Sequence, residues 1–214
     1  MKQERPRLRG ISHLLAAFVA GVAGVFLVAG APTFKAAVAA GIYAFGLTLQ
    51  FATSALYHRV WWRTARARAW MRHADHAAIF VCIAATYTPF ALLVLHGWLG
   101  VAILVAAWAG ATAGVLRELA WPGAPRWVAV GAYLALGWLA IPAAPWLIDS
   151  LGWRLLPVLG GGLLYTAGAV VYARRRPDPA PALFGYHEVF HALVVGAAAL
   201  MFGVIAFAVV PGAA

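Results

Sequence analysis

A chain of 214 residues of which 64% are hydrophobic and only 10% charged lies outside the balance of a water-soluble domain, where roughly a quarter of residues carry charge. On a soluble fold the net charge of +10 would point to nucleic acid, but here the arginines punctuate apolar runs, which excludes that partner and assigns the basicity to membrane topology. The single cysteine, Cys82, sits inside an apolar run, so an intrachain disulfide and a cysteine-based zinc cluster are both excluded; any metal has to use histidine and carboxylate.

A membrane-crossing helix needs about 20 predominantly apolar residues. Such stretches occur near residues 11–30, 36–57, 75–95, 98–116, 127–148, 153–173 and 187–210. They predict one domain over 1–214, an all-α integral membrane protein built as a seven-transmembrane helix bundle. The first stretch follows Lys2, Arg5, Arg7 and Arg9 as a secretory signal would, but its length suits a span better than a signal core. Between the second and third stretches, Arg59, Arg63 and Arg66 follow helical spacing with Trp62, Ala65 and Ala69 on the other side. That pattern fits a short helix lying in the interface or a solvated basic loop.

In the third stretch Pro89 removes one helical hydrogen bond and frees the carbonyl of Ala85, so a kink is expected. The later breaks carry Pro122-Gly123-Ala124-Pro125 and Arg174-Arg175-Arg176-Pro177. Gly160, Gly161 and Gly162 let helix backbones approach closely. Seven spans put the N-terminus and the second, fourth and sixth loops on one side. Fourteen of the 16 lysines and arginines fall there, with only Lys35 and Arg154 opposite. The positive-inside rule then predicts a cytosolic N-terminus and an external C-terminus, in the plasma or inner membrane.

An aspartate inside a span costs roughly 2.5 to 3.5 kcal/mol on insertion scales and marks function by default. Glu4, Glu118, Asp149 and Asp178 read as lying in or beside loops; Asp75 and Glu188 read as opening the third and seventh helices at the cytosolic end. His58 closes the second helix at the same depth, and His187 and His191, four apart, share one face of the seventh. His58, His187 and His191 are therefore the expected ligands of a zinc ion near the cytosolic side, with a fourth position left for water, as in catalytic sites. Ser54, one turn before His58, is placed to orient a ligand or a carboxylate. His13, His73, His76 and His96 read as ordinary polar residues at interfaces.

His187-Glu188-Val189-Phe190-His191 also fits the zincin pattern of two zinc-binding histidines with Glu as general base. An HExxH-type membrane protease usually draws its third ligand from downstream, and no His, Glu or Asp follows His191. A retinal pigment is set aside because Lys2 and Lys35 are the only lysines.

These residues carry a resemblance. Ser54-Ala55-Leu56-Tyr57-His58, Asp75-His76 leading to Ala85-Thr86-Tyr87-Thr88-Pro89-Phe90, and His187-Glu188-Val189-Phe190-His191 resemble the hemolysin III branch of the progestin and adipoQ receptor family, which includes the adiponectin receptors and is related to alkaline ceramidases. The resemblance spans most of the chain. It implies seven helices with a cytosolic N-terminus, zinc held by His58, His187 and His191, Asp75 in contact with the water at the metal, and Ser54 in support. Ala85 departs from the glycine usual in bacterial relatives, and Ala74 from a common leucine; neither touches the expected ligands. The long N-terminal domain of the animal receptors has no counterpart, so hormone recognition is not carried over.

Two functions follow from one site. The first is a zinc-dependent hydrolase of lipid amide or ester bonds, ceramidase-like and serving membrane lipid homeostasis, with Asp75 moving the proton and Glu188 as the rival base. The alternative is a non-enzymatic sensor or modulator of the bilayer in which a structural zinc pins the helices together. Membrane lipids and a lipid-like substrate are the expected partners. A channel or transporter is disfavoured by the lack of charge through the middle of the spans.

Overall fold

The computed structural model describes residues 6–213, so Lys2, Glu4 and Arg5 lie outside the described residues. Among the described residues there is no strand, only a single bridge between Ala180 and Phe184. The helices are α1 (Ile11–Ala29), α2 (Phe34–Arg59), α3 (Ala65–Pro89), α4 (Gly97–Ala120), α5 (Arg126–Gly137), α6 (Ala144–Leu151), α7 (Leu156–Arg174) and α8 (Tyr186–Val204). Side-chain caps fix two of the starts. Thr33 accepts the N–H of Ala36 at 3.2 Å and Thr64 that of Ala67 at 3.1 Å, each satisfying a donor that the first turn leaves without an intrahelical partner.

Among the described residues six helical segments are long and apolar enough to cross a membrane, one fewer than expected, because the fifth and sixth stretches fall into a single 49-residue segment, Arg126–Arg174. The expected continuous fifth helix over 127–148 is not formed. α5 stops at Gly137, and two short 3₁₀ turns, Ile141–Ala143 and Gly152–Leu155, flank α6. Pro142 and Pro145 lack the backbone donors that a continuous helix would need there. Tyr87 holds the break: its hydroxyl donates to the Gly137 carbonyl at 2.6 Å and accepts the Ala140 N–H at 3.3 Å, so backbone groups released by the helix end keep partners. Beyond it the chain returns along α5, with Trp138 Nε1 donating to Thr166 Oγ1 at 3.1 Å and the Arg126 guanidinium 5.7 Å from the Tyr172 ring centre.

α3 starts at Ala65, not near residue 75, so there is no separate interfacial helix between the second and third spans; residues 65 to 74 are the first turns of α3 itself. After Pro89 the helix widens into a π turn, Phe90–Val94, where the bond lost at the proline is absorbed. Neighbouring helices pack in sequence order from α1 to α4, α5 bridges α3, α4 and α7, and α8 packs on both α7 and α1. Gly46 lets α2 and α3 approach closely: a Cβ placed there would clash with the Cβ of Ala85.

The core is drawn chiefly from α2, the π turn after α3, and α8 with the residues that continue it, including Tyr43, Phe51, Phe90, Val194 and Ile205. The outward surface is itself apolar, as at Phe18 (75% exposed) and Phe26 (73%) on α1. Large contiguous apolar exposure of this kind is what a lipid-facing helix presents.

Candidate metal centre

The last turn of α2 carries His58 and the first two turns of α8 carry His187 and His191. One ligand atom from each ring lies within 4.8 Å of the others, close enough to hold a metal ion. Nε2 of His58 and Nε2 of His187 are 3.1 Å apart; tetrahedral zinc with bonds of about 2.0–2.1 Å places ligand nitrogens roughly 3.3 Å from one another. The His58 side chain is 8% exposed and His191 1% exposed. His191 Nδ1 is buried with no hydrogen-bond partner among the described residues. Leaving such an atom unpaired costs about 1–3 kcal/mol, and in the tautomer that leaves Nδ1 without a proton a cation is a partner it can take. The donor set therefore fits a metal of the zinc type.

Asp75 lies ten residues inside α3, not at its start, with Oδ2 3.9 Å from His58 Nε2. It is not one of the three-residue ligand group. Ser54 is 3% exposed, and its side chain and that of Asp75 line the same cavity.

Glu188 faces elsewhere. Its Oε2 accepts the N–H of Gly185 at 2.8 Å, capping α8, while Oε1 pairs with Arg9 Nε at 2.5 Å. It is 3% exposed and does not line the cavity. The glutamate of the zincin-like motif is thus committed to helix capping and an ion pair. The segment carrying Arg9 runs beside the centre: the N–H groups of Arg7 and Leu8 donate to the carbonyls of Ala182 and Leu183 at 3.1 and 3.2 Å. Gly10 follows at φ 76°, where a Cβ would lie 2.7 Å from His58 Cβ, so only glycine fits that passage without strain.

Three histidines read as ordinary polar residues have specific places. His13 is 2% exposed, lines the cavity, and stacks on His191 with ring centres 3.7 Å apart and planes 13° from parallel. His73 and His76 both reach Glu118, which is 5% exposed within α4 and not in a loop. His96 is exposed ahead of α4. The signals in the sequence were modest: His13 stands at the depth of the triad, and His73 and His76 are three apart on one helical face. Asp149 also lies within a helix, α6.

The cavity beside the centre has a volume of about 290 Å³. Its more polar end is formed by His13, Ser54, Asp75, His76, His187 and His191, and its remainder by mostly apolar walls, with tyrosine and threonine side chains among them, reaching Leu155 and Met201. From His187 to Met201 along α8 it extends roughly 21 Å, at 1.5 Å per residue.

Helices with an apolar exterior around a buried histidine triad and a long apolar cavity define an integral membrane protein with a candidate metal centre. The profile of the Haemolysin-III related family matches residues 1–202. The chain is 32% identical over 184 residues to Hemolysin-3 of Bacillus cereus, covering 85% of this chain and 80% of that protein. It is 31% identical over 203 residues to the Hemolysin-3 homolog of Bacillus subtilis (strain 168), covering 92% and 91%. The chain belongs to the Haemolysin-III related family, the branch that its histidine and aspartate motifs resemble.

Proposed function

We propose that this chain is a seven-span, zinc-dependent hydrolase of lipid amide or ester bonds serving membrane lipid homeostasis, with zinc on His58, His187 and His191 at the cytosolic side of the plasma or inner membrane. One observation carries the reading: a long, mostly apolar cavity whose more polar end is lined by His187 and His191 of the triad together with Asp75 and Ser54. An acyl chain gains about 0.8 kcal/mol per buried methylene, so the apolar walls favour a lipid tail and bring its carbonyl to the polar end.

Bound zinc would supply Lewis acidity, polarising a carbonyl and lowering the pKa of water to about 7. The chain's own residues do the rest. Asp75 accepts the proton of the attacking water on its carboxylate, and Ser54 steadies that carboxylate. The water oxygen bonds to the carbonyl carbon, the C–N or C–O bond breaks as the leaving atom takes up a proton, and the apolar walls keep bulk water from the reacting carbon.

The topology rests on charge segregation and on the return of the chain within Arg126–Arg174, where Trp138 meets Thr166 and Arg126 meets Tyr172. With seven spans the N-terminus is cytosolic and the C-terminus external. Single cysteines at Pro32 and Ala213 should then react with an impermeant thiol reagent from outside, and cysteines at Ala124 and Asp178 only after permeabilisation; Cys82 is buried and adds little background.

A second reading, a non-enzymatic bilayer sensor with structural zinc, draws on Asp75 Oδ2, 3.9 Å from His58 Nε2 and near enough to become a fourth protein ligand after a small shift. Fatty-acid release from N-acyl amides and acyl esters by zinc-loaded protein in nanodiscs separates the two. Turnover that is lost on chelation is expected. Full zinc occupancy with no release from any member of the panel overturns the hydrolase and leaves the sensor.

A further inference from the structure

A second set of ionisable side chains converges inside the bundle, apart from the triad. Glu118 Oε1 lies 3.1 Å from His73 Nδ1 and 3.2 Å from His76 Nδ1, and Oε2 takes Arg117 Nη1 at 2.5 Å. Tyr133 donates its hydroxyl to the carbonyl of His76 at 3.2 Å, fixing that turn of α3. Burying a carboxylate is costly unless it is paired, and none of these groups is used by the steps described above. Of the two histidines only His76 lines the cavity, together with Asp75 and Tyr133; His73 does not.

A carboxylate on Nδ1 holds that nitrogen as an N–H donor and leaves Nε2 as the ring position free to exchange a proton. An imidazole oriented by a buried carboxylate is a recurring arrangement for moving protons. Amide cleavage needs two such movements, because water must lose a proton and the departing nitrogen must gain one. Asp75 and His76 are consecutive on α3 and both reach the cavity.

We infer that His76, held by Glu118, is the proton donor to the leaving group, with Asp75 as the proton acceptor. This rests on the hydrolytic reading above. His76 starts with protons on both ring nitrogens, Nδ1–H on Glu118. The water oxygen bonds to the carbonyl carbon as one water proton passes to Asp75. The C–N bond then breaks as the nitrogen takes the proton from His76 Nε2, releasing amine and carboxylic acid. Asp75 hands its proton back to Nε2, and both groups return to their starting state. Glu118 is a positioning residue, acting only through His76.

The test compares two substrates with the same acyl chain, an alkyl amide and a p-nitrophenyl ester, whose leaving group departs without protonation. The ratio of their kcat values, measured in one zinc-loaded sample in nanodiscs, does not depend on the fraction folded. In His76→Asn, which keeps a donor near Nδ1 but removes Nε2, and in His76→Gln, the amide-to-ester ratio should fall about 100-fold, within the range for general acid catalysis. Glu118→Gln should lower the ratio about 10-fold, less than loss of the donor itself. His73→Gln should leave the ratio at the wild-type value, and zinc content should be equal in all samples. A wild-type ratio in both His76 variants overturns the inference while leaving the hydrolase intact. No turnover of either substrate by zinc-loaded wild type overturns the hydrolase reading, and the inference with it.

Discussion

Nε2 of His58 and Nε2 of His187 lie 3.1 Å apart although 129 residues separate them in the chain. The pairing needs the end of α2 and the start of α8 at one depth, and α1, packed on both helices, brings them together. Gly10, Arg9 and His13 all belong to this junction, touching respectively His58, Glu188 and His191. The centre is therefore built from three helices and the segment that leads into the first.

The two carboxylates near the centre should behave differently. Asp75→Asn should keep zinc and lower turnover by about 10²- to 10⁴-fold, the usual weight of general acid–base catalysis. Glu188→Gln removes the counter-charge of Arg9 while its amide oxygen can still accept the Gly185 N–H, so it should cost about 1–3 kcal/mol of stability with turnover per bound zinc largely kept. Metal analysis, thermal unfolding and kcat on the same samples decide; loss of turnover in Glu188→Gln with zinc and stability intact would make Glu188 the base.

His13 stacks on His191 and offers no ligand atom to the three-residue group, so its effect on the metal should act through ring orientation. His13→Ala should weaken zinc binding about 10-fold, the lower end for residues that support a ligand. His13→Phe, which keeps an aromatic face, should weaken it far less. Competition with a chelating dye measures both; equal weakening would assign His13 a role through its nitrogens.

Gly46 and Ala85 form a size-matched pair between α2 and α3. Gly46→Ala should destabilise the bundle by about 1–3 kcal/mol through overpacking. Adding Ala85→Gly should return most of that loss, a coupling expected of residues in direct contact. Additive destabilisation in the double variant would contradict the packing. The alanine that stood out in the sequence against a usual glycine is accommodated here by a glycine opposite.

Periodicity and charge located the helices well where one apolar run makes one helix, as in α1, α2 and α4. They failed where the break is made by tertiary partners. Nothing in residues 127–148 shows that Tyr87, fifty residues upstream, takes the backbone groups of Gly137 and Ala140. The basic run before Asp75 was likewise indeterminate, because arginines at helical spacing suit the first turns of α3 as well as a surface helix.

The convergence of the three histidines was legible because two of them share one helical face and the third sits at the same depth. Glu118 was not. Its neighbour Arg117 marks a helix end, and only the folded chain brings His73 and His76 across to it. His13 reads as a lone polar residue in the sequence because ring stacking leaves no trace in spacing.

The most direct measurement is the metal content of the purified protein beside its His191→Ala variant, both folded in the same lipid. Near-stoichiometric zinc in the wild type and its loss in the variant are expected. Equal zinc in both would contradict the assignment of His58, His187 and His191 as the metal centre.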